Sequence, residues 1–345
     1  MPLFSRKPTP TSVPDPHLAD DLTLLASAVE TGDPSAWSQR LGALAADGRW
    51  HHRHLLVEHT ATHPDFADAW LHASFEAAAA GAPAAAPAED QPADAPQDED
   101  DSVEIDPTTL PHGCLTTAGV VRVRQAWEAR SGRQAEHVSR EAFQQFHEML
   151  DAATPLIQGA LHADREDPTA WASVLDQARG LQADAPTFHA IMDAAQQACP
   201  TGYAWHASAV EYLSPWWFGT SEASWDLAVT LSRSAPGTRS EMLPAAAAAR
   251  AYWKERTPAT EAMLSEALPQ AHAYVTSVRQ DEVELVSAAN ELAVRLYVCG
   301  LVDDAARAQA PAGRALDTAV WRRWFDAPET AHAEVLARAE KLKLL

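Results

Sequence analysis

Six of the 15 histidines fall between residues 51 and 72, in the stretch HHRHLLVEHTATHPDFADAWLH. On a helix, His51, His54 and Glu58 recur at i, i+3 and i+7 along one stripe, and His59 and His63 form an i, i+4 pair on another. Imidazoles and a carboxylate at those spacings are the donor types of a transition-metal site. Imidazoles so crowded are also a pH-responsive patch, because they titrate near neutrality. Other chemistry finds no footing. The chain has no Gly-x-Ser-x-Gly, P-loop, Gly-x-Gly-x-x-Gly or His-Glu-x-x-His motif. Its three cysteines, Cys114, Cys199 and Cys299, are odd in number and lack a Cys-x-x-Cys pair, so they read as reduced, buried thiols rather than as disulfides or zinc ligands.

Those histidines sit inside a unit that the chain repeats. DPSAW at residues 33–37 returns as DPTAW at 167–171, Leu41 matches Leu175, and a second Ala-Trp arrives at Trp70 and at Trp205. In each copy the aspartate can cap a helix while proline fills the first helical position, where no donor is needed. Pro64 and Pro200 are expected to start the helices that carry the second tryptophans. A duplication of about 45 residues with this helix-turn-helix content is the period of helical solenoids. Of the metal-type residues only His54 and Glu58 reappear, as His189 and Asp193. A repeated His and carboxylate pair is more simply a helix-surface contact. The expectation is therefore no cofactor and no stoichiometric metal; were one bound, the candidate ligands are His51, His54, Glu58, His59 and His63.

Composition supports an all-α chain: much of the 46% apolar content is alanine, glycines number only 14, and β-branched runs are few. A net charge of -22 repels a phosphate backbone, which argues against nucleic acid. Residues 1–17 carry no apolar signal region and no stretch is long enough to span a bilayer, so a cytoplasmic protein without membrane contact is expected. Nine acidic residues and no basic one lie between Glu89 and Asp106. The chain thus divides into a disordered tail at 1–17, an N-terminal helical unit at 18–79 with four short helices, a Pro/Ala-rich acidic linker at 80–111, and a C-terminal helical-repeat domain at 112–345 with nine or ten.

Tryptophan is abundant, at 12 residues, and most instances share helical spacing with other apolar residues, as in Trp205, Ala209 and Tyr212. The segment SPWWFGT at 214–220 is different, because adjacent Trp216 and Trp217 in a turn cannot easily share one environment. Gly219 lets the chain reverse and Thr220 can cap the next helix. Trp216 is expected to be the freer ring and a binding residue, Trp217 the packed one. Arg122, Arg124 and Arg130 near Trp127 and Glu128 form a small basic rim or, more plainly, a solvated face with internal ion pairs.

Near the end, NELAVRLYVCGLVDDAARAQ at 290–309 places Ala293, Leu296, Gly300 and Ala305 at the spacing of a tetratricopeptide helix pair. The segment from about 113 to 325, with AWEAR at 126–130, DPTAW and YLSPWWFGT, resembles an uncharacterised bacterial helical-repeat family whose members carry a Trp-x-Gly-Ser/Thr turn. That resemblance implies a tetratricopeptide-like α-α superhelix of paired antiparallel helices with no established activity. The expected function is a non-enzymatic scaffold for a protein or peptide partner, with Trp216, Trp127, Arg124 and Glu128 as binding residues. The alternatives are a metal-dependent enzyme or sensor using the His-rich helix at 50–63, or a structural subunit of a larger complex. The identity of the partner and the oligomeric state are not written in the residues.

Overall fold

The structure, a computed structural model, describes residues 11–33, 35–63, 112–130 and 139–345. These residues are overwhelmingly helical, as the alanine-rich composition dictates. The N-terminal helices are α1 (Ala19–Thr31), α2 (Ser35–Ala46) and α3 (Trp50–Thr60). Next come α4 (His112–Arg130), α5 (Arg140–Ala163), α6 (Pro168–Gly180), α7 (Ala185–Ala198), α8 (Tyr203–Tyr212) and α9 (Ser221–Ser234). The last group is α10 (Leu243–Glu255), α11 (Pro258–Ser277), α12 (Glu282–Val298), α13 (Val302–Gln309), α14 (Thr318–Arg322) and α15 (Pro328–Lys341). From residue 112 onward there are twelve described helices rather than nine or ten, because several turns split what periodicity reads as one.

Both Asp-Pro motifs open a helix. Asp33 Oδ1 accepts from the Ser35 N–H at 2.9 Å, and Asp167 Oδ1 accepts from Thr169 and Ala170. Their tryptophans, Trp37 and Trp171, are buried, as are Leu41 and Leu175 four residues on. Pro200 does not start a helix. It sits in a turn, and α8 begins three residues later with Gly202 as its cap. Its partner positions Pro64 and Trp70, like the acidic linker at 80–111, lie outside the described residues.

The tetratricopeptide-like spacing marks a real helix pair: Ala293, Leu296 and Ala305 are fully buried, and Gly300, at φ +82°, makes the turn between α12 and α13 in a conformation that side chains disfavour. Helix α12 is the hub of the C-terminal half, touching α10, α11, α13, α14 and α15. It also meets the N-terminal helices. Val283 joins the apolar cluster of Leu18, Trp37, Leu41 and Leu56, and α3 packs against α4, α6, α8, α12 and α14.

Residues 13–17, expected in the tail, are structured. β1 (Val13–Pro14) pairs in parallel with β2 (Ala315–Leu316), and a 3-10 turn (Pro16–Leu18) follows. Proline denies this segment a helix, but Asp15 fixes it by accepting from the Thr318 N–H at 2.8 Å and the Thr318 hydroxyl at 2.5 Å, with Leu18 buried beside it. No described helix is long and apolar enough to cross a membrane.

Candidate functional site

Helices α3, α4, α6 and α8 share a design: one stripe is apolar and buried, and another is polar and faces a common space. On α6 the inner stripe is Thr169, Ser173, Asp176 and Arg179; on α8 it is Tyr203, Ala207 and Glu211, opposite the buried Trp205, Ala209 and Tyr212. The space they enclose is a cavity of about 1180 Å³, closed on its far side by Arg250, by Glu291 and Arg295 of α12, and by Ala319 to Asp326. Small residues, Ala172, Ala204, Ala207 and Ala319, leave the room.

The wall carries both signs of charge in equal number. Arg124, Arg179, Arg250, Arg295, Arg322 and Arg323 face Glu58, Glu128, Asp176, Glu211, Glu291 and Asp326. In a chain of net charge -22 this is a locally balanced place. Most of these groups are paired. Glu58 receives Arg124 and, at 3.4 Å, Arg323; Arg179 meets Asp176 at 3.1 Å; Arg250 meets Glu211; Arg295 meets Glu291 at 2.9 Å. Glu291 also takes Arg239 at 2.8 Å and the Tyr203 hydroxyl at 2.5 Å.

The pairing sets the protonation states. Burial alone would raise Glu58, but Arg124 and Arg323 outweigh it and hold the carboxyl at about 2. Glu291 is held low for the same reason, against its burial, by Arg239 and Arg295. Asp176 goes the other way: burial lifts its carboxyl, and Arg179 only partly offsets that. Burial drives His54 down to about 4 in spite of Glu58 beside it, so its imidazole is neutral at pH 7.

Three of the four binding residues expected from sequence, Trp127, Arg124 and Glu128, line this cavity. The fourth stands at its edge. Trp216 is 39% exposed, as expected, yet its ring stacks on Trp253 at 5.0 Å, and Trp253 meets the cavity residue Trp324 edge-on at 5.6 Å. Lys254 Nζ lies 4.3 Å from the Trp216 ring, and Phe218 beside it is 45% exposed. Trp217 turns inward, donating to Glu211 at 2.8 Å and meeting Trp127 at 5.2 Å. Gly219 permits the turn, since a Cβ there would lie 2.1 Å from the Leu213 carbonyl oxygen, and Thr220 caps α9. The "basic rim" dissolves on inspection of partners: Arg122 donates to Gln125, Arg124 to Glu58, and Arg130 lies over Trp127, Phe143, Phe146 and Trp217.

Trp217→Ala is expected to cost about 3 kcal/mol, as loss of a packed aromatic does, whereas Trp216→Ala should cost about 1 kcal/mol, the worth of a ring stack. Thermal melts of both variants check this, and equal losses would mean that the two rings are packed alike.

The candidate metal ligands do not converge. His51 is within 3.2 Å of the Ser287 hydroxyl and 2.9 Å of Arg239, His54 is 3.3 Å from the Thr169 hydroxyl, Glu58 is taken by arginines, and His63 is exposed. Of their counterparts in the second copy, His189 and Asp193 are both exposed. His51 and His59 each stand 3.8 Å from a carboxylate, but from different ones, Glu284 and Asp15. All three cysteines are buried, and burial pushes Cys199 up to about 12 and Cys299 to about 11, which disarms those two as nucleophiles.

Sequence reading missed Asp176, Arg179, Glu211, Arg250, Glu291 and Arg295. One signal was present. Glu291 and Arg295 stand four apart in VSAANELAVRLYV, a mainly apolar run with no other charge, and a charge pair in such a run points to a lined interior. No family model, no curated protein and no solved structure matches the chain, so the resemblance to a helical-repeat family draws no support from relatives.

Proposed function

We propose that the chain is a non-enzymatic helical scaffold, a tetratricopeptide-like α-α superhelix of paired antiparallel helices, that seats a peptide segment of a partner protein in its central cavity. The observation that carries this reading is the wall itself: six arginines, six carboxylates and the rings of Trp127, Tyr203, Trp324 and Phe325 around one space. At about 1180 Å³ that space exceeds the roughly 300–1000 Å³ of most small-molecule pockets. A peptide presents both signs of charge, carbonyls and N–H groups along its length, and a wall of alternating arginine and carboxylate can answer each of them. Ion pairs that now join wall to wall would exchange for pairs with the guest, which favours specificity over raw affinity. Trp216 and Phe218 at the edge supply an apolar anchor. A cytoplasmic setting belongs to this reading, resting on the free, buried thiols of Cys199 and Cys299.

Ala207, half-buried on the wall, gives the test. Ala207→Trp should fill the seat and abolish partner capture while the circular dichroism spectrum and melting temperature stay close to wild type. Undiminished capture by a folded Ala207→Trp would place the binding surface elsewhere. A catalytic reading has one observation in its favour, the raised Asp176 carboxyl in the same cavity as the firmly ionised Glu58. It requires that Asp176→Asn abolish a turnover measured on a defined substrate with binding intact.

A further inference from the structure

Three segments far apart in sequence bring three polar side chains to one buried point, with a fourth beside them. Asp15 lies between β1 and the 3-10 turn, His59 near the end of α3, and Asp317 just before α14; one ligand atom from each lies within 4.8 Å of the others, and all three residues are buried. It is the only such group among the described residues. His17, two residues after Asp15, joins them with Nε2 3.8 Å from Asp317 Oδ2, and neither side chain is exposed at all. His59 Nε2 stands 3.8 Å from Asp15 Oδ1.

Those separations are the informative part. At 3.8 Å the imidazoles and carboxylates do not hydrogen-bond, and His17 Nε2, His59 Nε2 and Asp317 Oδ2 have no hydrogen-bond partner although all are buried. Leaving such groups unmatched is costly, and two buried carboxylates make it more so. Among the described residues no arginine or lysine stands within ion-pair distance of Asp15 or Asp317; their partners are the two imidazoles. An ion held by legs of about 2.0–2.2 Å spreads its ligand atoms to separations of roughly 3–4 Å; His59 and Asp15 stand at 3.8 Å and the whole group lies within 4.8 Å.

The remaining contacts orient the ligands. Asp317 Oδ1 accepts from the Val320 N–H at 3.1 Å, which turns Oδ2 toward His17, and Asp15 is held by Thr318. Asp15 itself takes φ +43°, a left-handed conformation that aspartate adopts more readily than most side chains. Asp15, His59 and Thr318 also line a cavity of about 460 Å³, which gives an ion its route in.

We infer that Asp15, His59 and Asp317 bind one divalent transition-metal ion of the zinc class, with His17 beside Asp317 at the edge of the site. Imidazole nitrogen with carboxylate oxygen and no thiolate suits zinc, iron or manganese rather than a purely oxygen-seeking calcium. The two positive charges of the ion neutralise Asp15 and Asp317. The ion would clamp the segment at 13–18 onto α3 and α14. This assignment is independent of the guest proposed for the central cavity, and it departs from the sequence-based expectation of no metal, which considered only ligands on one helix.

The test uses full-length protein made without an affinity tag, stripped with a chelator and titrated with zinc against a colorimetric indicator. The expected result is about one equivalent per chain, with a melting temperature raised by roughly 5–10 °C in excess zinc. Asp317→Asn, which preserves the helix cap, and His59→Gln should each weaken binding at least about 100-fold. His63→Gln, on the exposed neighbour, should retain the equivalent. Cobalt(II) in place of zinc reports the same ligands through its visible absorption, which should change in His59→Gln. Wild-type protein that takes up no tight equivalent, or folded Asp317→Asn and His59→Gln proteins that both keep theirs, would overturn the assignment.

Discussion

Replacing Asp167 by alanine is expected to cost about 5 kcal/mol of stability, while the same change at Asp33, in the matching motif, should cost only about 1 kcal/mol. The two aspartates open their helices alike, but their surroundings differ. Asp33 is exposed and does no more than cap. Asp167 is fully buried; its second oxygen accepts from Arg53 at 2.8 Å and from the Thr116 hydroxyl at 2.7 Å. Arg53 is itself wholly buried, and its Nε and Nη2 have no acceptor. Removing the carboxylate therefore strands a guanidinium in the interior as well as uncapping α6. Urea denaturation with an unchanged slope measures both variants, and equal midpoints would show that the Arg53 pair contributes nothing beyond capping.

That contrast marks how far the sequence carries. DPSAW and DPTAW announce two helix starts, and both exist. Nothing in five letters says that only the second carboxylate is buried, because the burial comes from Arg53, which spacing alone cannot bring to Asp167. Arg53 lay in view inside HHRH, where the histidines drew attention. The same limit governs the cavity. Trp127, Arg124 and Glu128 stood out on one segment and His54, Glu58 and His59 on another, and periodicity put each set on a helix face. That the two faces oppose each other across one space depends on how α3 docks against α4, α6 and α8, a tertiary fact. The Asp15, His59 and Asp317 cluster was least legible, since each ligand comes from a different segment and only the pairing of β1 with β2 brings the first near the last.

Acid should unfold this protein earlier than carboxylate titration alone would. His206 and His332 are wholly buried, and burial drives both from 6.5 to about 4. Above pH 6.5 they are neutral in folded and unfolded chains alike and have no effect on the balance. As pH falls below 6.5 the unfolded chain takes up protons that the folded chain refuses, so stability is lost until about pH 4, by about 3 kcal/mol for each histidine. His54, also lowered to about 4, acts in the same direction. The carboxylates held at about 2, Asp21, Glu58 and Asp317, contribute their own loss only at lower pH. Denaturation curves between pH 7.5 and 4.5 isolate the histidine window. A flat profile there would mean that these imidazoles accept a proton in place, and His206→Gln with His332→Gln should reduce the slope to the part that His54 contributes.

The seat of the partner is located most directly by a photo-crosslinking residue placed at Ala207 on the cavity wall, with a matched protein carrying it at Ser265, exposed on α11 away from the cavity. Irradiation in cells followed by mass spectrometry should join position 207, and not 265, to a single peptide segment of one partner protein. Crosslinks of equal yield and composition at both positions, or none at 207 in folded protein, would contradict a peptide guest in the central cavity.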